Sequence, residues 1–168
     1  KNIDWLLTDS RSLAFPEATL FFALRSQRND GHKYVADLYR RGVRDFVVSA
    51  LPDDYASRFP AATFYVVADP LKALQHLAEC HRRRFDIPVV GITGSNGKTI
   101  VKEWLYQLLS PQLVVTRSPR SYNSQVGVPL SVCLLNAQTQ LGIFEAGISQ
   151  PGEMSALRPI IQIGRAHV

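Results

Sequence analysis

The stretch from Pro88 to Leu109 constrains this chain most, because an apolar run, a glycine loop and an amphipathic segment follow one another without a gap. Pro88-Val89-Val90-Gly91-Ile92-Thr93 reads as a buried strand. Gly94-Ser95-Asn96-Gly97-Lys98-Thr99 then turns the chain. From Lys98 onward, Val101, Trp104, Leu105, Leu108 and Leu109 recur with helical spacing, a stripe expected to lie in the core. A strand that turns through glycines into a helix N-terminus aims backbone N–H groups at an anion. The glycines permit close approach, Lys98 supplies charge, and the Thr99 hydroxyl suits Mg²⁺. Gly94, Ser95, Asn96, Gly97, Lys98 and Thr99 are therefore the expected phosphate-binding loop. The bland alternative is a glycine turn beside a surface lysine. One departure is plain: the usual G-x-x-x-x-G-K-[ST] pattern wants glycine at position 92, which is Ile92 here.

The residues before this stretch alternate between strand-like and helix-like runs. Thr19–Leu24, Asp45–Ser49 and Thr63–Ala68 read as strands. His32 to Arg41 carries Val35, Leu38 and Tyr39 at helical spacing, with Gly42 as its stop. Asp69-Pro70 opens a second helix, Asp as cap and Pro at the first helical position. Leu71, Leu74, Leu77 and Ala78 share its inner face, and it ends near Phe85. After the glycine loop and its helix, Pro111 stops the helix and Leu113–Thr116 reads as a strand. A polar loop from Arg117 to Gln125, an apolar run from Val126 to Leu135 and a last strand, Leu141–Glu145, follow. That strand carries Glu145 at its C-terminal end, the edge where open α/β sheets bind ligands. The expected fold class is α/β: a small α/β domain over residues 1–85, then over 86–162 the first part of a P-loop ATPase-type parallel sheet.

Composition narrows the partners. A charge of +5 favours anionic ligands, but no aromatic interleaving accompanies the Arg82-Arg83-Arg84 run, so a solvated helix end is expected and nucleic acid is not. His76 and His81 are expected at the surface. Cys80 and Cys133 lie far apart in apolar stretches and read as buried free thiols of a reducing, cytoplasmic compartment. No apolar run reaches the roughly 20 residues a membrane helix needs, and no secretion signal opens the chain, although residue 1 is Lys rather than Met.

Five segments in register carry a resemblance. The loop Gly94–Thr99 is similar to the G-[ST]-N-G-K-T of the Mur ligase family. Thr8-Asp9-Ser10-Arg11 with Leu20–Leu24, and Asn29-Asp30-Gly31-His32, resemble that family's first-domain signature. Tyr122–Pro129 resembles its N-x-x-x-G-x-P segment, and Glu145-Ala146-Gly147 with Gly152-Glu153 its E-x-G…G-E segment. Within the family, Ser95, Lys102-Glu103 and Asn-Ser-Gln-Val-Gly-Val-Pro look most like the ligase adding D-alanyl-D-alanine to UDP-N-acetylmuramoyl-tripeptide, including the version fused to an alanine racemase. The resemblance implies ATP and Mg²⁺ as cofactors and an acyl-phosphate intermediate. It implies catalytic roles for Lys98, Asn123 and Glu145, Mg²⁺ on Thr99 and Glu145, and the UDP portion near Ser10, Arg11, Asp30 and His32. Asp9-Ser10-Arg11 reads equally as a capping turn, Asn123 as a turn residue, and Glu145 as a solvent-facing strand end.

Other readings are a ligase adding the third residue, a folylpolyglutamate-synthase-like ligase, and a nucleotide-binding module or small-molecule kinase. The first domain argues against the folylpolyglutamate type, and no acceptor site follows the loop as a kinase would need. The piece is expected to be an inactive fragment. Its tail, Ile163–Val168, imitates the family's N-[IL]-G-x-A-H segment. Only Ile160-Ile161-Gln162 separate it from Pro159, too few for the family's intervening strand, and the hexapeptide matches a translated sequencing adapter, so a non-native tail is expected.

Overall fold

In the computed structural model, which describes residues 2–27, 29–162 and 164, seven strands pair into two wholly parallel sheets. Parallel neighbours need long crossovers, which is why strand-like and helix-like runs alternate along this sequence. The chain divides into two compact units, Lys1–Ala73 and Leu74–Val168.

The first unit holds β1 (Trp5–Leu7), β2 (Thr19–Phe22), β3 (Asp45–Val48) and β4 (Thr63–Val66), side by side in chain order. Helices α1 (Val35–Arg40) and α2 (Tyr55–Arg58) connect them. Phe21, Leu38, Val43, Phe46 and Val48 are fully buried and form the core with Leu7, Ala23, Val35 and Phe59. Phe46 meets Phe21 edge-on at 6.3 Å and stacks on Phe64 at 5.4 Å. The expected helix from His32 starts one turn later, because Gly31–Tyr34 winds as a 3-10 turn capped by Asp30. Gly42 ends α1 at φ 103°, a conformation glycine adopts freely.

The second unit begins inside α3 (Pro70–Arg82), where the sequence had placed the boundary at its end. The reason is packing: Ala78 joins the cluster of Val128, Val132, Leu135, Phe144, Leu157, Ile160 and Ile161. Leu77, expected inside, is exposed. Arg82, expected in solvent, is buried, its guanidinium donating to the carbonyls of Phe85 and Ile87. His81 reaches the Leu135 carbonyl at 2.8 Å instead of lying free at the surface. Beyond it come β5 (Val89–Ile92), α4 (Lys98–Leu109), β6 (Val115–Arg117), α5 (Gly127–Val132), β7 (Leu141–Glu145) and α6 (Glu153–Ile161). The strand order is β5-β7-β6, so β7 is central and buried along its whole length.

The largest correction concerns α4. Val101, Trp104 and Leu108, expected in the core, are exposed, Trp104 to 64% and Leu108 to 72%. The helix is turned so that Lys102 faces inward at 0% exposure. Cys80 is likewise exposed rather than buried, whereas burial pushes the Cys133 thiol up to about 12. Among the described residues no helix is long and apolar enough to cross a membrane. Ile163 and Arg165–Val168, most of the expected non-native tail, lie outside the described residues.

Two substitutions separate real core from apparent core. Phe46→Ala should cost about 3–5 kcal/mol, whereas Trp104→Ser should change stability by no more than about 0.5 kcal/mol. Urea denaturation followed by circular dichroism reads both.

Candidate functional site

The parallel register sets Ile92, the last residue of β5, opposite Glu145, the last of β7. The glycine loop leaving β5 therefore starts beside the buried carboxylate. Gly94 at φ 136° and Gly97 at φ 79° make the loop, and a Cβ at either would meet nothing within 4 Å. These glycines are required by conformation, and the space above them is open. No side chain caps the start of α4, so its first N–H groups stay available to a ligand. Lys98 folds over the loop, its Nζ donating to the Gly94 carbonyl at 2.6 Å.

Thr99 and Glu145 meet directly: Thr99 Oγ1 donates to Glu145 Oε2 at 3.0 Å. The carboxylate is wholly buried, so its alternative reading as a solvent-facing strand end fails. Its Oε1 lies 2.9 Å from Lys102 Nζ as an ion-pair contact, yet makes no hydrogen bond among the described residues. A hydroxyl and a carboxylate are hard oxygen donors that suit Mg²⁺. The residues present fit that ion.

The polar loop after β6 is tied to the same edge. Ser118, fully buried, accepts the Glu145 N–H on its hydroxyl at 3.1 Å. Asn123 accepts the Gly147 N–H on its carbonyl at 2.7 Å, and a Cβ at Gly147 would sit 3.0 Å from the Asn123 side chain. Gly127 lies so close to Tyr122 that a Cβ would stand 2.8 Å from its carbonyl carbon. Glu153 accepts the N–H groups of Ser149 and Gln150, which hold its carboxyl below the ordinary range. Lys98, Thr99, Asn123 and Glu145 thus converge on one edge of the second unit's sheet.

In the first unit, Ser10 and Arg11 line a cavity of about 430 Å³ with Thr8, Asp9, Asn29 and Tyr34. Asp9 also caps the turn, accepting the Arg11 N–H at 3.0 Å, and the Arg11 guanidinium holds its carboxyl low. The capping reading is therefore realised, and the same residues line a cavity. Asp30 and His32 do not line that cavity. Because Ser49 N–H can only donate, His32 Nε2 accepts it at 3.0 Å, and Nδ1 carries the proton toward Asp30 at 2.6 Å. These two residues hold the loop's shape.

Sequence reasoning missed Lys102 and Ser118 as parts of the site. A lysine four residues after Lys98 falls on the same helix face, and Lys102-Glu103 is among the residues that carry the resemblance, but neither signal marks the lysine as buried.

The Mur ligase middle domain matches residues 92–167, running into the segment expected to be non-native. A UDP-N-acetylmuramoyl-tripeptide--D-alanyl-D-alanine ligase of Treponema pallidum is 34% identical over 100% of this chain and 39% of its own length. Residues 92–167 belong to the Mur ligase family. The ligase of the same name from Bacillus subtilis is 32% identical over 99% of the chain and 37% of its length. Among solved Mur ligases, one from Acinetobacter baumannii superposes with TM-score 0.85 at 30% identity, over 95% of this chain and 34% of that one. MurF of Thermotoga maritima, solved in complex with ADP, gives 0.79 at 28% identity over 94% and 35%. The chain spans between 37% and 39% of the length of these two curated relatives.

Two outcomes follow for the Mur ligase edge. Gly127→Ala should cost about 1–3 kcal/mol, since the new methyl meets backbone rather than a yielding side chain, and thermal melting measures it. Because the Glu153 carboxyl is held low, its contacts are complete at neutral pH and lost as pH falls through its lowered value. The Ser149 and Gln150 amide signals should move in that acid range and stay still above it, as NMR titration will report.

Proposed function

We propose that the chain is the front part of an ATP-dependent ligase of peptidoglycan precursor synthesis, working in the cytoplasm. The first compact unit serves as the UDP-substrate domain and the second carries the first part of the ATP-binding domain. The observation that carries the reading is the Thr99–Glu145 pair at the mouth of an uncapped glycine loop. It supports a nucleotide site on chemical grounds, and the relatives' names supply the rest: UDP-N-acetylmuramoyl-tripeptide and D-alanyl-D-alanine as partners. ADP in the Thermotoga maritima relative supports ATP as the nucleotide.

In this reading the tripeptide carboxylate attacks the γ-phosphorus of ATP, ADP leaves, and the acyl phosphate forms. The amine of D-alanyl-D-alanine then attacks the acyl carbon, losing a proton as inorganic phosphate departs. Phosphoryl transfer is helped mainly by positioning and charge neutralisation. The N–H groups of Gly94–Thr99 cradle the phosphates, and Lys98 swings from the Gly94 carbonyl to the transferring group. Thr99 Oγ1 and Glu145 hold Mg²⁺, which neutralises phosphate charge when bound. Asn123 positions the loop at the reacting edge. Arg11 and Ser10 face the UDP diphosphate, for which a guanidinium fork is suited.

Titrating ATP and UDP-N-acetylmuramoyl-tripeptide separately by calorimetry tests this. Both should bind, whereas a kinase or simple nucleotide module would take only ATP. Lys98→Ala should weaken ATP by about tenfold or more, the worth of a hydrogen bond to a charged group. The 168 residues alone should release no ADP with both substrates present. Turnover would sink the fragment reading, and silence toward the UDP substrate would sink the ligase reading.

A further inference from the structure

Lys102 is the most deeply placed cation described, at 0% exposure, and it has four oxygen partners. Its Nζ donates to the Ser118 carbonyl at 2.9 Å and to the Arg120 carbonyl, and lies 2.9 Å from Glu145 Oε1 and 3.1 Å from Glu103 Oε1. Glu103 in turn binds Arg117 at 3.0 Å, so charges alternate along the helix edge. Burying a lysine and a glutamate is costly, and an apolar pair of similar volume would hold such a core as well. Packing alone therefore does not account for the charge.

The arrangement distinguishes the two oxygens of Glu145. The ammonium takes Oε1, and Oε2 is left to Thr99. The same ammonium grips the carbonyl of Arg120, a non-glycine residue in the left-handed region at φ 49°. Such a conformation persists where its surroundings hold it, and three residues later comes Asn123. One side chain thus links α4, the end of β7 and the loop after β6.

We propose that Lys102 is a positioning residue of the nucleotide site, fixing the Glu145 carboxylate so that Oε2 faces Thr99 and anchoring the Ser118–Arg120 backbone to the same point. The inference rests on the nucleotide reading above. It makes Lys102 act through Glu145, with no contact to ATP of its own.

The test uses the 168-residue chain and the variants Lys102→Met, Glu145→Gln, the double variant and Lys102→Arg. Two quantities are read: the urea midpoint, and ATP affinity with and without Mg²⁺. Each single neutral variant strands a buried charge, so the double variant should lose less stability than the two singles added. Additive losses would refute the clamp. Lys102→Met should reduce the Mg²⁺-dependent gain in ATP affinity by about tenfold, the scale seen when a metal ligand's supporting partner is removed. Affinity without Mg²⁺ should stay within a few-fold of wild type. A merely structural lysine would instead lower both affinities together, and that outcome overturns the proposal. If Lys102→Met does not fold, Lys102→Arg keeps the charge but moves it; a wild-type Mg²⁺ gain there also overturns it. Failure of the wild-type chain to bind ATP refutes the nucleotide reading and the positioning role together. Non-additive stability with unchanged Mg²⁺ dependence refutes the role alone.

Discussion

A buried carboxylate at the end of a central strand has to be balanced locally, and in the second unit this requirement organises the whole edge. Glu145 closes β7 at 0% exposure, where water cannot stabilise its charge. Its partners come from two separate segments: Thr99 and Lys102 from α4, and Ser118, which meets its backbone N–H, from the loop after β6. The strand order β5-β7-β6 makes this possible, because it sets β7 between the strand that feeds the glycine loop and the strand that feeds the polar loop. The balance also decides which face of α4 turns inward. With Lys102 committed to Glu145, the apolar residues roughly 100–160° around the helix are left on the other side.

That exposed stripe is the clearest departure from ordinary amphipathic logic. Ile100, Val101, Trp104 and Leu108 stand together on one face of α4, each well exposed. Large contiguous apolar patches are uncommon on complete monomers, and this chain spans well under half the length of its curated relatives. The helical period was read correctly and its direction was not. Periodicity reports that a helix has two faces, while the identity of the inward face depends on what is packed against it.

The first unit illustrates a different division. Strands β2, β3 and β4 were legible because runs of β-branched and aromatic residues sit between turn residues, whereas the three-residue β1 was not. The roles within its loops were less legible. Ser10, Arg11, Asp30 and His32 are equally polar in sequence, yet only the first two line the 430 Å³ cavity. Asp30 and His32 are occupied by hydrogen bonds that shape the loop, through the Ser49 amide on one side and Arg25 on the other. A short polar residue beside glycine satisfies either demand, and only the three-dimensional neighbours distinguish them.

The glycine loop, the parallel α/β class and the family resemblance were all determined by the sequence itself, because each depends on local chemistry: glycines that must adopt positive φ, a lysine and threonine at a helix start, and motifs in fixed order. Tertiary structure alone decided that Glu145 is buried, that Lys102 rather than Trp104 faces the sheet, and that Ser118 and the Arg120 carbonyl meet them. Those facts depend on residues 16 to 46 positions apart meeting at one point. No local pattern encodes such a meeting; strand order does.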